Sequence, residues 1–409
     1  MFFKSLSDNT QKRLIRRLEE VNHDIRTRGI SRSDNSHSAI AGIQDLLTGY
    51  SYGEFYDWDL YYENLYLSHF GIARYCRTNF EAFLDRQLEC GFVARTMMEQ
   101  RMRQHFKPFL AQIAVLGSRQ FGRFEWLKDR YYQRLIKYLD YWCWFCDFDK
   151  NGLSVWDSAD HSGMDNQDLR AGHIYSMTIE GVDLNSYLVR EFDAMSVIAE
   201  GLGLEEDASQ WKEKAAAMRG RINDIMWDEK DGFYYDRNER TGELVRYKSA
   251  SSFMALWAGV ATQKQADRMI KEHLLNPEEF WLEYPLASWA KNEKGYYQQR
   301  RGVECTWMGA CWIPVNYSVM HALVRYGYQE EAAELAGKSF EMVLSEDATR
   351  EYYNAETGVG QGLNPFWGWS ALAYAMPFEL EAGYDPTDPH AEIIPLLSDI
   401  TGVEYRFDR

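Results

Sequence analysis

Two carboxylates set in aromatic surroundings are the residues of this chain best equipped for chemistry. Glu351 heads the run Glu351-Tyr352-Tyr353-Asn354-Ala355-Glu356-Thr357-Gly358, followed by Gln361-Gly362-Leu363-Asn364-Pro365-Phe366-Trp367-Gly368-Trp369-Ser370. Far upstream, Asp165 stands in Ser162-Gly163-Met164-Asp165-Asn166, a few residues after Trp156. A carboxyl that donates a proton and a carboxylate that activates water are the minimal pair for breaking a glycosidic bond. Indole and phenol rings supply broad faces on which the C–H faces of a sugar can stack.

Two further segments combine rings with polar groups. Tyr52-Gly53-Glu54-Phe55-Tyr56-Asp57-Trp58-Asp59-Leu60-Tyr61-Tyr62 alternates acids and rings with no clean amphipathic face. Its carboxylates could accept paired hydrogen bonds from sugar hydroxyls, which points to Glu54 and Asp59, with Tyr56 and Trp58 beside them. Trp307-Met308-Gly309-Ala310-Cys311-Trp312-Ile313-Pro314-Val315-Asn316 places two tryptophans around a glycine, and Pro314 is suited to the first turn of a helix. The segment Trp156 to Asn166 breaks helical periodicity with three aspartates and a glycine, the signature of a loop on a scaffold.

The elements that must position these segments are helical. Leu184, Leu188, Phe192, Met195 and Ala199 recur at helical spacing, with Asp183 as the expected N-cap and Gly201 and Gly203 as stops. Trp211, Ala215, Met218, Ile222 and Ile225 mark the next helix. A third runs from about Asn316 to Arg325, and its partner carries Ala332, Leu335, Ala336, Phe340 and Val343. Strand signals are local: Trp227 to Asp236 reads as a hairpin turning at Asp231-Gly232. The expectation is an all-α protein of paired helices with minor β-hairpins in its loops. Six hairpins closed into a ring suit the length, and an open helical solenoid has the same periodicity.

Composition bounds the rest. The 409 residues contain no Pro/Ser/Gly-rich linker, so a single domain over 1–409 is expected. Lys+Arg of 45 against Asp+Glu of 62 leaves a net charge of −17, which argues against a nucleic-acid partner. The N-terminus has no apolar signal region and no stretch reaches membrane length, so a soluble cytoplasmic protein is expected. Cys143-Trp144-Phe145-Cys146 stands without a second pair and reads as buried thiols. Asp147-x-Asp149-x-Asn151-Gly152 copies half of a calcium loop, but Ser158 occupies the twelfth position, so an aspartate-rich turn is expected. The nine histidines show no metal-ligand spacing, and no cofactor is expected.

Taken in order, the four segments resemble the clan of inverting glycosidases that contains trehalases and the α-glucosidases of glycoside hydrolase family 63. The likeness extends from about residue 50 to 380. It implies an (α/α)6 barrel with the site at its mouth, Asp165 as general acid and Glu351 as general base. It further implies that Trp58-Asp59 holds the reacting sugar and that Trp307, Trp312 and Asn316 form a third signature. Val182-Asp183-Leu184-Asn185 resembles a family helix start. Trp156, Asn166, Gln361, Trp367 and Trp369 complete the candidate substrate contacts. Met308 stands where family 63 usually has arginine, His161 ahead of Ser162 where relatives often have glutamate, and the third signature lacks the aspartate of trehalases. With its short length, the chain resembles the compact bacterial hydrolases of mannosylglycerate or glucosylglycerate. The expected activity is inverting hydrolysis of a small α-glucoside or α-mannoside. The alternatives are trehalase, or a sugar 2-epimerase using histidines such as His69, His173 and His321.

Overall fold

The computed structural model describes residues 2–31, 45–49, 55–97, 104–173, 175–302 and 305–406. Its longer helices are α1 (Asp8–Asp24), α2 (Asp57–Ser68), α3 (Arg74–Leu84), α4 (Leu110–Phe121), α5 (Tyr132–Phe145), α6 (Val182–Gly201), α7 (Glu205–Met226), α8 (Ile313–Arg325), α9 (Gln329–Ser345) and α10 (Met376–Ala382). The fold is mostly helical, as the 3.6-residue period predicts.

The helices fall into two kinds. Every residue of α2 is buried, and α6 and α8 are buried around nearly their whole circumference. Helices covered on every side lie inside the protein, their charged residues included. By contrast, α7 buries Ala208, Trp211, Ala215, Met218, Ile222 and Met226, one stripe at helical spacing, and leaves its other faces to water. Each large apolar side chain in such a stripe contributes about 1.5–3 kcal/mol on burial. Inner α6 packs on outer α7, and inner α8 on outer α9. Ile225, expected in the buried stripe, is only partly buried, and the neighbouring Met226 fills that place.

Helix ends explain several buried charges. The first amides of α4 have no partner within their own helix. Glu191 of α6 supplies one, accepting hydrogen bonds from the N–H groups of Ala111 (2.9 Å) and Gln112 (3.0 Å). Asp183 is not the N-cap of α6. Gly181 occupies that position, and Asp183 instead pairs with the buried guanidinium of Arg170 at 3.0 Å. Arg170 also bonds Asp236 at 2.8 Å, so one cation joins the start of α6 to the small sheet.

Among the described residues, strands occur only as short pieces. β1 (Val155–Trp156), β2 (Ile179–Glu180), β5 (Asp236–Asn238) and β6 (Leu244–Val245) form one antiparallel sheet in the order β1-β2-β5-β6. β3 (Trp227–Asp228) pairs with β4 (Phe233–Tyr234) in the expected hairpin. β7 (Tyr352–Tyr353) and β8 (Gly360–Gln361) form another, with Tyr352 opposite Gln361. The first sheet has no sequence signal, because strands of two or three residues are too short to show a period.

In the Asp147–Gly152 turn, the Gly152 N–H donates to Asp147 (3.1 Å), and Asp149 pairs with Arg237 at 3.0 Å. All six cysteines are free thiols; Cys146 is buried as expected, whereas Cys143 is only half-buried. Among the described residues, no helix is long and apolar enough to cross a membrane.

Candidate active site

Four loops and helix ends converge on a cavity of about 260 Å³. The start of α2 brings Tyr56, Trp58 and Asp59; the 160–165 loop brings Asp160, Gly163 and Asp165. Trp307 and Trp312 come from the third segment, with Arg300 and Cys305 just ahead of it, and Glu351, Leu363 and Trp369 come from the fourth. Arg95 completes the wall. Glu54 lies outside the described residues.

Asp57 anchors the first wall. Its carboxylate accepts the N–H of Trp58 (2.9 Å), the N–H of Lys107 (3.0 Å) and the Lys107 ammonium (2.8 Å), all out of contact with solvent. The same ammonium lies 5.3 Å from the centre of the Trp58 ring, a cation–π distance. Trp58 is thereby fixed from below. Next to it, Asp59 is pushed up to about 7, first by burial and then by the charge of Asp57. Arg95 spans this wall and the 160–165 loop. It donates to Gln104 (2.8 Å) and to the backbone oxygen of Asp160 (2.6 Å), and its guanidinium lies 5.4 Å from the Tyr56 ring centre.

The 160–165 loop is held by its own caps and by its neighbours. Ser158 caps the turn Ala159–Ser162, and Gly163 ends it with φ of 84°. A Cβ at Gly163 would lie 2.7 Å from the Trp58 ring, so only glycine lets the loop approach that closely. The Asn166 side chain accepts the N–H of Trp307 (3.0 Å) and donates to the Tyr297 hydroxyl (2.5 Å). Gln167 donates to the carbonyl of Trp307 (2.6 Å). The loop carrying Asp165 is thus tied to the loop carrying the tryptophans. Asp165 has protein on all sides except the cavity, where its side chain is open to solvent. Removal from bulk water pushes it up to about 7, with the charges of Asp160 and then Glu351 adding to the rise. Cavity water moderates that rise in the free protein, and a ligand that displaces the water strengthens it.

Glu351 faces the same cavity from the start of β7. One carboxylate oxygen accepts the N–H of Leu363 at 2.9 Å, and the other accepts the Cys305 thiol at 3.5 Å. Its backbone carbonyl accepts the Trp369 indole N–H at 2.8 Å. Burial raises its pKa, while the two donors and the charge of Arg300 oppose the rise. The same cavity has an aromatic wall. Trp307 and Trp312 stack with centres 3.7 Å apart, Trp312 stacks on Tyr352 at 4.6 Å, and Trp58 meets both Trp307 and Trp369 at 5.9 Å.

Five residues singled out in the sequence do not line the cavity. Trp156 is buried, donating to Asp183 at 2.8 Å and meeting Trp142 edge-on. Asn316 holds the 285–286 backbone, accepting the N–H of Leu286 (3.0 Å) and donating to the carbonyl of Pro285 (2.7 Å). Trp367 is buried and donates to the carbonyl of Thr48 at 2.8 Å. Gln361 accepts the N–H of Arg300 (3.1 Å) and donates to the carbonyl of Gln298 (3.0 Å). Asn166 braces two loops, as described above. Sequence reasoning passed over Arg95, Asp160, Arg300, Cys305 and Leu363. Asp160 and Leu363 lay inside segments already singled out, and Cys305 is two residues from Trp307; Arg95 carries no local signal.

His69, His173 and His321 do not line the cavity. His69 and His321 meet at the buried Glu379, 2.7 and 3.0 Å away, and His173 pairs with Asp168 on the surface. His161, in the turn ahead of Gly163, donates to the carbonyl of His105 at 2.6 Å and is kept neutral by burial, which pushes its pKa well down. Among the described residues, no three His, Cys, Asp or Glu side chains are grouped to hold a metal ion.

Residues 52–370 match the mannosylglycerate hydrolase MGH1-like glycoside hydrolase domain. Over 164 residues the chain is 35% identical to a cytosolic neutral trehalase of Kluyveromyces lactis, covering 38% of this chain and 21% of the trehalase. Over 196 residues it is 29% identical to a mannosylglycerate hydrolase of Rubrobacter radiotolerans, covering 47% of this chain and 42% of that protein. The chain therefore spans less than half the length of these curated relatives in alignment. Its fold resembles that of a family 63 mannosylglycerate hydrolase from Thermus thermophilus in complex with glucose (TM-score 0.67, 20% identity, 82% of this chain and 98% of that one). The neutral trehalase of Saccharomyces cerevisiae is similar in fold (TM-score 0.67, 19% identity, 98% of this chain and 86% of that one).

Proposed function

We infer that this chain, which belongs to the mannosylglycerate hydrolase MGH1-like glycoside hydrolase family, cleaves a small α-linked glucoside or mannoside with inversion at the anomeric carbon. The observation that carries the reading is the meeting of Asp165 and Glu351, from segments far apart in sequence, in one small tryptophan-walled cavity. Asp165, raised toward 7 by loss of bulk water and further as a bound sugar displaces cavity water, holds its proton in the complex and delivers it to the leaving oxygen. Glu351 takes a proton from a water on the opposite face of the sugar. Asp59 and Trp58 grip the reacting sugar, with the edges of Trp307 and Trp312 and the ring of Trp369 lining the pocket around it. Arg300, exposed at the cavity, suits an aglycone with a carboxylate, such as the glycerate named for the relatives.

The scaffold in this reading is an (α/α)6 barrel forming a single domain in a cytoplasmic protein. The buried inner helices and striped outer helices support it. The histidines that an epimerase would use do not line the cavity, which disfavours that alternative. The test is incubation of the purified protein with mannosylglycerate, glucosylglycerate, trehalose and other α-disaccharides, followed by assay for free monosaccharide. Release from a glycosyl-glycerate or an α-disaccharide is expected. Conversion of a free aldose into its 2-epimer or ketose, without hydrolysis of any glycoside, would refute the reading.

A further inference from the structure

The base of this site is held by an unusual pair of donors. Leu363 donates its backbone N–H to one oxygen of Glu351 at 2.9 Å, and the Cys305 thiol lies 3.5 Å from the other. Sulfur hydrogen bonds are long and weak, but here the acceptor carries charge and the donor is largely shielded from water. Gly362 makes the pinch possible. Its φ is 73°, and a Cβ there would collide with the Glu351 carboxylate. The loop 361–363 thus closes on Glu351 from one side and Cys305 from the other.

We propose that Cys305 is a positioning residue for Glu351, its S–H holding the carboxylate in one rotamer and favouring the ionised form that accepts the proton of water. The proposal rests on the role of Glu351 as general base. Each carboxylate oxygen accepts one of the two donors and keeps a lone pair for water. A thiol can play this part only if it keeps its proton. Burial, with the charges of Asp165 and Glu351, pushes the Cys305 pKa far up, so the group remains S–H throughout the working range. That state also makes it a poor nucleophile, since the thiolate is the reactive form. Cys305 lines the cavity beside the reacting pair without itself giving or taking a proton.

The experiment compares Cys305→Ala with Cys305→Ser. A donor to a carboxylate lowers its pKa, so loss of the donor raises it. In Cys305→Ala the acid limb of the kcat/KM profile is expected to move to higher pH by about half a unit or more, with kcat lowered roughly three- to tenfold and KM nearly unchanged. Cys305→Ser keeps a donor and should restore both. The Glu351 carboxyl is also titrated by 13C NMR in glutamate-labelled protein, assigned through Glu351→Gln; its pKa should rise in the alanine variant and return in the serine variant. An unmoved pKa in Cys305→Ala would overturn the proposal. Equal shifts in both variants would also overturn it, because packing rather than the donor would then be responsible. Should the wild-type protein hydrolyse no glycoside, the proposed activity falls, while the NMR titration still decides whether Cys305 sets the state of Glu351.

Discussion

Lys107→Met should damage this protein through one buried charge. The Lys107 ammonium and the Asp57 carboxylate are 2.8 Å apart and neither touches solvent. Removing one partner of such a pair leaves a charge without water or counter-ion and costs about 3–5 kcal/mol. The Trp58 and Lys107 backbone N–H groups still donate to Asp57, and Arg95 remains 4.0 Å away, so the lower end, about 3 kcal/mol, is expected. Unfolding entropy is about 2.1 cal/mol/K per residue, or roughly 0.9 kcal/mol/K for 409 residues, so Tm should fall by about 3 °C. The double variant Asp57→Asn/Lys107→Met removes both charges and should lose clearly less than the sum of the two single losses. The assay is urea unfolding and thermal melting of the three variants, read as a double-mutant cycle. Additive losses, or a Lys107→Met variant within about 0.5 kcal/mol of wild type, would refute the reasoning that this pair supports the Trp58 wall.

The remaining expectations concern the reacting groups and the tryptophans. Asp165→Asn and Glu351→Gln should each lower kcat by roughly a hundredfold or more while leaving the fold intact, since general acid–base groups contribute about 10²–10⁴-fold; circular dichroism and steady-state rates check both. Activity should fall as pH rises past about 7, where Asp165 loses its proton. It should also fall on the acid side at a pH above the ordinary glutamate range, because the Glu351 pKa is raised. An optimum far into the alkaline range would contradict the assignment of Asp165. Gly163→Ala forces a Cβ into the Trp58 ring and should raise KM and lower kcat together. Trp367→Ala removes a buried ring outside the cavity and should instead cost about 3–5 kcal/mol of stability with KM unchanged in the folded fraction.

How far the sequence reaches can be judged from particular residues. Helices α6 to α9 were legible because their apolar residues recur at helical spacing over several turns. The Trp227–Asp236 hairpin was legible from its Asp-Gly turn. Asp165, Glu351, Trp58, Asp59, Trp307, Trp312, Trp369 and Tyr56 stand in motifs, and all of them line the cavity. Trp156, Asn316 and Trp367 stand in the same motifs but point into the core, because a motif records which residues recur together and not which way a side chain turns. Asp183 has the composition of an N-cap, yet a distant arginine claims it, a contact that no local pattern encodes. Arg95 reaches the cavity only through tertiary packing against Asp57 and Asp160.

The central claim is that Asp165 and Glu351 act from opposite faces of the sugar in a single displacement. Inverting enzymes hold their two carboxyls about 6.5–9.5 Å apart to admit a water, whereas retaining enzymes bring a nucleophile to about 5–5.5 Å. Proton NMR of the anomeric region, recorded in the first minutes of hydrolysis of an α-linked substrate, reads the outcome before mutarotation blurs it. The account predicts that the β-anomer appears first. Initial appearance of the α-anomer would mean a covalent intermediate, and Glu351 could then no longer be the base that activates water.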